Sequence, residues 1–176
     1  VGVPDGQPPP GTVAHVVPDL VAQMGDAVHH LGDALGRQRV HRGVDDASLL
    51  AFVSGSVVED IADARSDVDM SVVFQSLPDE AVLAASCARA GGTPWSWRQG
   101  ALAEGSMVVA FHVEGIEVQI AYSDHATLDR EVDALLVEHN PDTPLHKLGE
   151  GILKAEPLAG RSELARLQAR AEPRPL

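Results

Sequence analysis

Two apolar runs joined by a polar spacer constrain this chain more than any other feature. Ala47 to Val53 is a short apolar stretch that ends in Ser54-Gly55-Ser56, and Asp67-Val68-Asp69 opens a second, Met70 to Phe74. Runs of this length and content predict buried strands. On the strand Val68 to Phe74, the period of two puts Asp67 and Asp69 on one face. Two carboxylates ahead of a buried strand are costly unless something cationic sits between them. A divalent metal is the usual solution, and hard oxygen ligands favour Mg2+ or Mn2+. Gly55 lets a backbone turn approach a ligand closely, and Ser56 adds a hydroxyl and an N–H suited to phosphate. A phosphate cradle beside two metal-binding carboxylates is equipment for phosphoryl or nucleotidyl transfer.

The order Gly55-Ser56, a spacer of about ten residues, then Ser66-Asp67-Val68-Asp69-Met70 resembles the nucleotidyltransferase superfamily of DNA polymerase beta. It most resembles the small bacterial members that include antibiotic nucleotidyltransferases and minimal nucleotidyltransferase antitoxins. A third carboxylate follows there on a later strand between apolar residues, and Glu117 in Gly115-Ile116-Glu117-Val118-Gln119-Ile120 matches that position. The resemblance covers roughly residues 47–122, and more weakly the segment to 176. It implies an α/β (α+β) fold with a small mixed sheet flanked by helices. It also implies Asp67, Asp69 and Glu117 as catalytic residues and as ligands of Mg2+ or Mn2+, with a nucleoside triphosphate as co-substrate. Gly55, Ser56, Ser66 and Arg65 would bind the nucleotide. Glu117 would act as metal ligand or as general base, and Ser66 would orient Asp67.

The rest of the chain fits this frame. Residues 1–12 are rich in Pro and Gly and predict a disordered segment, leaving 13–176 as one nucleotidyltransferase domain. Apolar residues recur at helical spacing from Asp19 to Arg39. Val57 to Ala62 predicts a short helix whose N–H groups face bound phosphate. Helices are expected over Pro78–Ala90, Asp124–Glu138, Leu145–Leu153 and Ser162–Ala171, and strands over Trp95–Arg98, Met107–His112 and Ile116–Ala121, the last two joined as a hairpin. Gly151 to Gly160 resembles the family's edge segment. The helical substrate domain that often follows in the family is expected to be absent, since the sequence ends at Leu176.

Composition limits the partners. The formal net charge is −13, with Lys147 and Lys154 the only lysines. A nucleic-acid surface needs clustered positive charge, so nucleic acid is an unfavoured partner. An acidic surface suits a cationic small acceptor such as an aminoglycoside, through steering, although it is also a common compositional habit. A protein hydroxyl is the other acceptor the resemblance implies, and homodimerisation could complete the cleft. No apolar run approaches the roughly 20 residues that span a bilayer. The single cysteine, Cys87, excludes an internal disulfide and leads to the expectation of a cytoplasmic protein.

Other candidates carry less. Asp60, Asp63, Asp67 and Asp69 lack the register of an EF-hand loop. His29 and His30 diverge by about 100° on a helix and do not share an ion. His112 could approach the cleft. Trp95 and Trp97 alternate in a strand, so one packs inward and the other is free to stack on a base. Asp60 stands near a point where the family often carries glycine, and a carboxylate there would repel a triphosphate. The rival to an enzyme is a nucleotide- or partner-binding module that keeps the fold without turnover.

Overall fold

Valine- and isoleucine-rich runs supply the strands, because branched side chains suit the pleated, half-buried backbone. The structure is a computed structural model that describes residues 20–26, 50–59, 61, 66–137 and 144–172. Its strands are β1 (Leu50–Ser54), β2 (Val68–Phe74), β3 (Trp97–Ala101), β4 (Ser106–Val113), β5 (Ile116–Asp124) and β6 (Glu156–Ala159). Its helices are α1 (Glu80–Arg89), α2 (His125–Val137), α3 (Pro144–Lys154) and α4 (Arg161–Ala171), with residues 20–26 also helical. The six strands form one sheet in the order β3-β4-β5-β2-β1-β6. Only β2 and β5 run parallel, and the other neighbouring pairs are antiparallel. This is the small mixed sheet flanked by helices expected from the sequence, and it is consistent with a nucleotidyltransferase-like fold.

Strand alternation divides the core in two. One face of the sheet presents Val53, Met70, Val72, Val109, Phe111, Val118 and Ile120, packed with Leu83 and Cys87 of α1 and with Leu20 and Met24. The other face presents Leu50, Phe52 and Val73, covered by Leu128 and Val132 of α2, Ile152 of α3, and Leu164 and Leu167 of α4. That second cover reaches only one end of the face. At the other end β2 and β5 alternate buried apolar residues with half-buried polar ones, and the carboxylates lie there.

The expected hairpin is β4–β5, turned by Glu114 (φ 52°) and Gly115 (φ 86°). Two successive positive φ angles define the tight turn whose twist matches the flanking strands. The edge segment is β6, paired antiparallel with β1. Three expectations change. Of the short helix expected over Val57–Ala62, the described residues 57–59 instead follow a 3-10 turn at Gly55–Val57, which the chain enters from β1 through a left-handed Gly55 (φ 74°) and which Val58 closes onto the Gly55 carbonyl. The strand expected from Trp95 starts at Trp97. Helix α1 begins at Glu80, after Asp79 in extended conformation, not at Pro78. Most of the Asp19–Arg39 helix, residues 1–12, Asp60, Arg65, His29, His30 and Asn140-Pro141 lie outside the described residues. Among the described residues no helix is long and apolar enough to cross a membrane.

Candidate functional site

The site is built where three strands end at the uncovered part of the sheet. Register pairs Ser54 of β1 with Asp69 of β2, and Asp69 with Gln119 of β5. Paired residues in a sheet share a face, so Ser54, Asp69 and Gln119 form one row across it. One step away, Val68 pairs with Val118, which sets Asp67 and Glu117 side by side at the mouth of the two parallel strands. The three carboxylates singled out from the sequence therefore stand on one face at one end of the sheet. Ser66 is half-buried immediately before them.

An amide occupies the space between two of these carboxylates. Nε2 of Gln119 donates to Oδ2 of Asp67 at 2.9 Å and to Oε1 of Glu117 at 3.0 Å. Two donated bonds from one amide offset the repulsion between the two anions. Nε2 of His112, which pairs with Glu117 across β4–β5, lies 4.0 Å from Oε2 of Glu117. Among the described residues Asp69 has no such partner. Burial pushes its carboxyl pKa up, and the negative charges of Asp67 and Glu117 push it further. Such a group gains most from a nearby cation. Among the described residues, no three His, Cys, Asp or Glu side chains are gathered into a ready-made ligand set.

Gly55 and Ser56 approach this row from β1. A β-carbon on Gly55 would lie 2.7 Å from Oδ2 of Asp69, so only glycine lets the 3-10 turn pass over that carboxylate. The turn and the carboxylate row border a cleft of about 370 Å3, whose floor is Ser54, Asp69, Ser71, Gln119 and Ala121. Helix α3 forms its wall through Lys147, Leu148, Glu150, Gly151 and Lys154. The chain's two lysines thus line the cleft together with Asp69, the one of the three candidate carboxylates that borders it. Nζ of Lys154 is bonded to Oε2 of Glu59 at 2.9 Å, which raises its pKa. Sequence reasoning counts these lysines without placing them. Their spacing of seven is two helical turns and puts both on one side of α3, a signal present in the sequence. Gln119 enters the sequence pattern only as a neighbour of Glu117, although two residues along a strand share a face.

The donor set fits a divalent cation in kind: hard carboxylate oxygens on one face, one of them with a raised pKa, under a glycine turn that admits no side chain. The Gln119 amide would have to yield for Asp67 and Glu117 to share an ion with Asp69.

No protein-family model matches the chain, and no curated protein matches it. Among solved structures, it is similar to a chain in the structure of the GLD-2/RNP-8 complex, at 12% identity and a TM-score of 0.27. The likeness covers 84% of this chain, which spans 56% of that one. A likeness of that degree carries no weight, and the reading of the site rests on the chain's own residues. The fold and site define the class: a mixed α/β domain with an acidic, lysine-walled cleft at the end of a parallel strand pair.

Proposed function

We propose that this chain is a metal-dependent nucleotidyltransferase, moving a nucleoside monophosphate from a nucleoside triphosphate to a hydroxyl acceptor. The observation that carries the reading is the juxtaposition of Asp67, Asp69 and Glu117 on one sheet face with a glycine turn over Asp69. Lys147 and Lys154, on the opposite wall, supply the positive charge that a triphosphate needs in a chain of net charge −13. In the reaction an acceptor oxygen forms a bond to the α-phosphorus while the bond from that phosphorus to the bridging oxygen breaks. The electron pair leaves with pyrophosphate.

Each residue has a defined task in this scheme. The backbone of Gly55-Ser56 and the Ser56 hydroxyl would hold the outer phosphates, with the two lysines facing them. Asp67 and Asp69 would hold Mg2+ or Mn2+, with Glu117 completing the set or accepting the proton released by the acceptor. The bound cation, when present, neutralises the charge that gathers on the phosphate oxygens. Arg65 enters only from the sequence resemblance.

Binding without turnover is a second reading, and one observation favours it: the Gln119 amide already bridges two of the carboxylates. Calorimetric titration with each nucleoside triphosphate and Mg2+, on the wild type and on Asp67→Asn/Asp69→Asn, tests the first reading. Mg2+-dependent binding that the double variant loses supports the site. No binding to the wild type sinks the proposal. Binding with no pyrophosphate release on any acceptor would select the second reading.

A further inference from the structure

Trp97 stands in the same row of the sheet as the candidate carboxylates. Register pairs it with Ala110, Ala110 with Gln119, and Gln119 with Asp69, so these side chains share one face. The neighbouring residue confirms the orientation independently: Arg98 points to the opposite face and bonds Glu80 of α1, which covers that face. Trp97 is 48% exposed, whereas the indole nitrogen of Trp95 is buried. Along this row only the buried Ala110 stands between Trp97 and Gln119 of the cleft, and in the adjacent row Val108 and Ala121 also line the cleft. The exposed indole therefore stands two positions along the row from the cleft lining, on the same face of the sheet.

Nucleotidyl transfer gives this row a direction, and the inference rests on that proposed function. Displacement at phosphorus is in line, with the attacking oxygen opposite the leaving group. The leaving pyrophosphate belongs with Gly55-Ser56 and the α3 lysines, on the β1 side of the carboxylates. The acceptor must then arrive from the β5–β4–β3 side, where Trp97 stands. We infer that Trp97 is an acceptor-binding residue, its indole face taking a cationic ring of the hydroxyl compound that is modified. Cationic groups are held by the faces of tryptophan rings, and the net charge of −13 favours a cationic ligand over an anionic one. Three strand spacings separate Trp97 from Asp69, about 14 Å. The acceptor is therefore a compound of several rings and not a single small alcohol.

The test uses kanamycin as a cationic multi-ring probe and maltotriose as a neutral one. Acrylamide quenching of tryptophan fluorescence reports the exposure of Trp97, with Trp95 as the internal control in Trp97→Phe. Kanamycin should shield the wild type from acrylamide, leave Trp97→Phe unchanged, and bind Trp97→Ala roughly 5- to 30-fold more weakly by calorimetry. Maltotriose should do none of this. Nucleoside triphosphate binding with Mg2+ is measured on the same variants and should stay within about twofold, since Trp97 is far from the phosphates. Triphosphate binding without any kanamycin effect overturns the inference and leaves the proposed function standing. Loss of triphosphate binding in the wild type overturns both. Equal shielding by maltotriose, or shielding that grows with protein concentration and no ligand, as when a second copy covers the edge, overturns it also.

Discussion

The β-carbon that Gly55 lacks would sit 2.7 Å from Oδ2 of Asp69, inside the contact distance of any real side chain. The same residue has φ 74°, a conformation that costs other L-residues about 1–2 kcal/mol. Gly55→Ala therefore meets both strain and a clash, and the clash falls on a proposed metal ligand. The variant should lose about 1–3 kcal/mol in urea denaturation and bind no Mg2+-nucleotide in calorimetry. Ser56→Ala should instead keep its stability and bind the nucleotide more weakly. Equal stability of Gly55→Ala and wild type would show that the turn does not pass over Asp69.

Local pattern makes much of this site legible. The alternation of Asp67, Val68 and Asp69 already assigns both carboxylates to one face, and the apolar neighbours of Glu117 set it in a strand. The hairpin is readable because a glycine, Gly115, interrupts two apolar alternating runs, whereas the positive φ of Glu114 (52°) is not a conformation its residue type announces. Long-range register is not readable. That β2 and β5 run parallel with Asp69 opposite Gln119 depends on pairing across 50 residues, and no local signal states it. Local pattern therefore does not place Gln119 and the α3 lysines in the cleft. Over the described residues 57–59 the helix expected after Gly55 gives way to one 3-10 turn, which the chain enters through the left-handed glycine.

The Gln119 amide shields Asp67 and Glu117 from mutual repulsion, so its loss should be felt most when no cation is present. Gln119→Ala should cost about 1 kcal/mol in thermal or urea unfolding without Mg2+, the scale of a hydrogen bond to a half-exposed charged group. Millimolar Mg2+ should restore that loss, and the variant should bind Mg2+ more tightly than wild type. An unchanged Mg2+ affinity would mean that the amide does not compete with the ion.

Cys87 and Tyr122 meet in the first core, Sγ and the phenol oxygen 3.3 Å apart. Burial pushes the Cys87 thiol above its ordinary 9.0 and the Tyr122 phenol well above 10.0. The folded chain thus keeps protons that the unfolded chain releases as pH rises past those ordinary values. Under proton linkage, the unfolding free energy falls with pH in that window and is unaffected by these two groups below it. The melting temperature should decline above about pH 9, less steeply in Tyr122→Phe than in wild type. At pH 7 that variant should lose only about 1 kcal/mol, the hydrogen bond. Identical alkaline slopes would assign the decline to other groups.

Gly92 faces Phe111 across the end of α1. A β-carbon at Gly92 would lie 2.6 Å from Cδ2 of Phe111 and 2.8 Å from the carbonyl oxygen of Cys87, with no unusual φ to add strain. Phe111 is fully buried in the first core. Gly92→Ala should therefore destabilise by overpacking, about 1–3 kcal/mol, and Phe111→Ala by cavity formation, about 3–5 kcal/mol. In the double variant the added methyl group enters space that the ring has left, which removes the larger of its two clashes. The contact with the Cys87 carbonyl remains, so the rescue is incomplete. Denaturant unfolding of the four proteins should give a double variant more stable than the sum of the single losses by about 0.5–2 kcal/mol. Strict additivity would show that the Gly92 backbone shifts away and that Phe111 is not what requires glycine there.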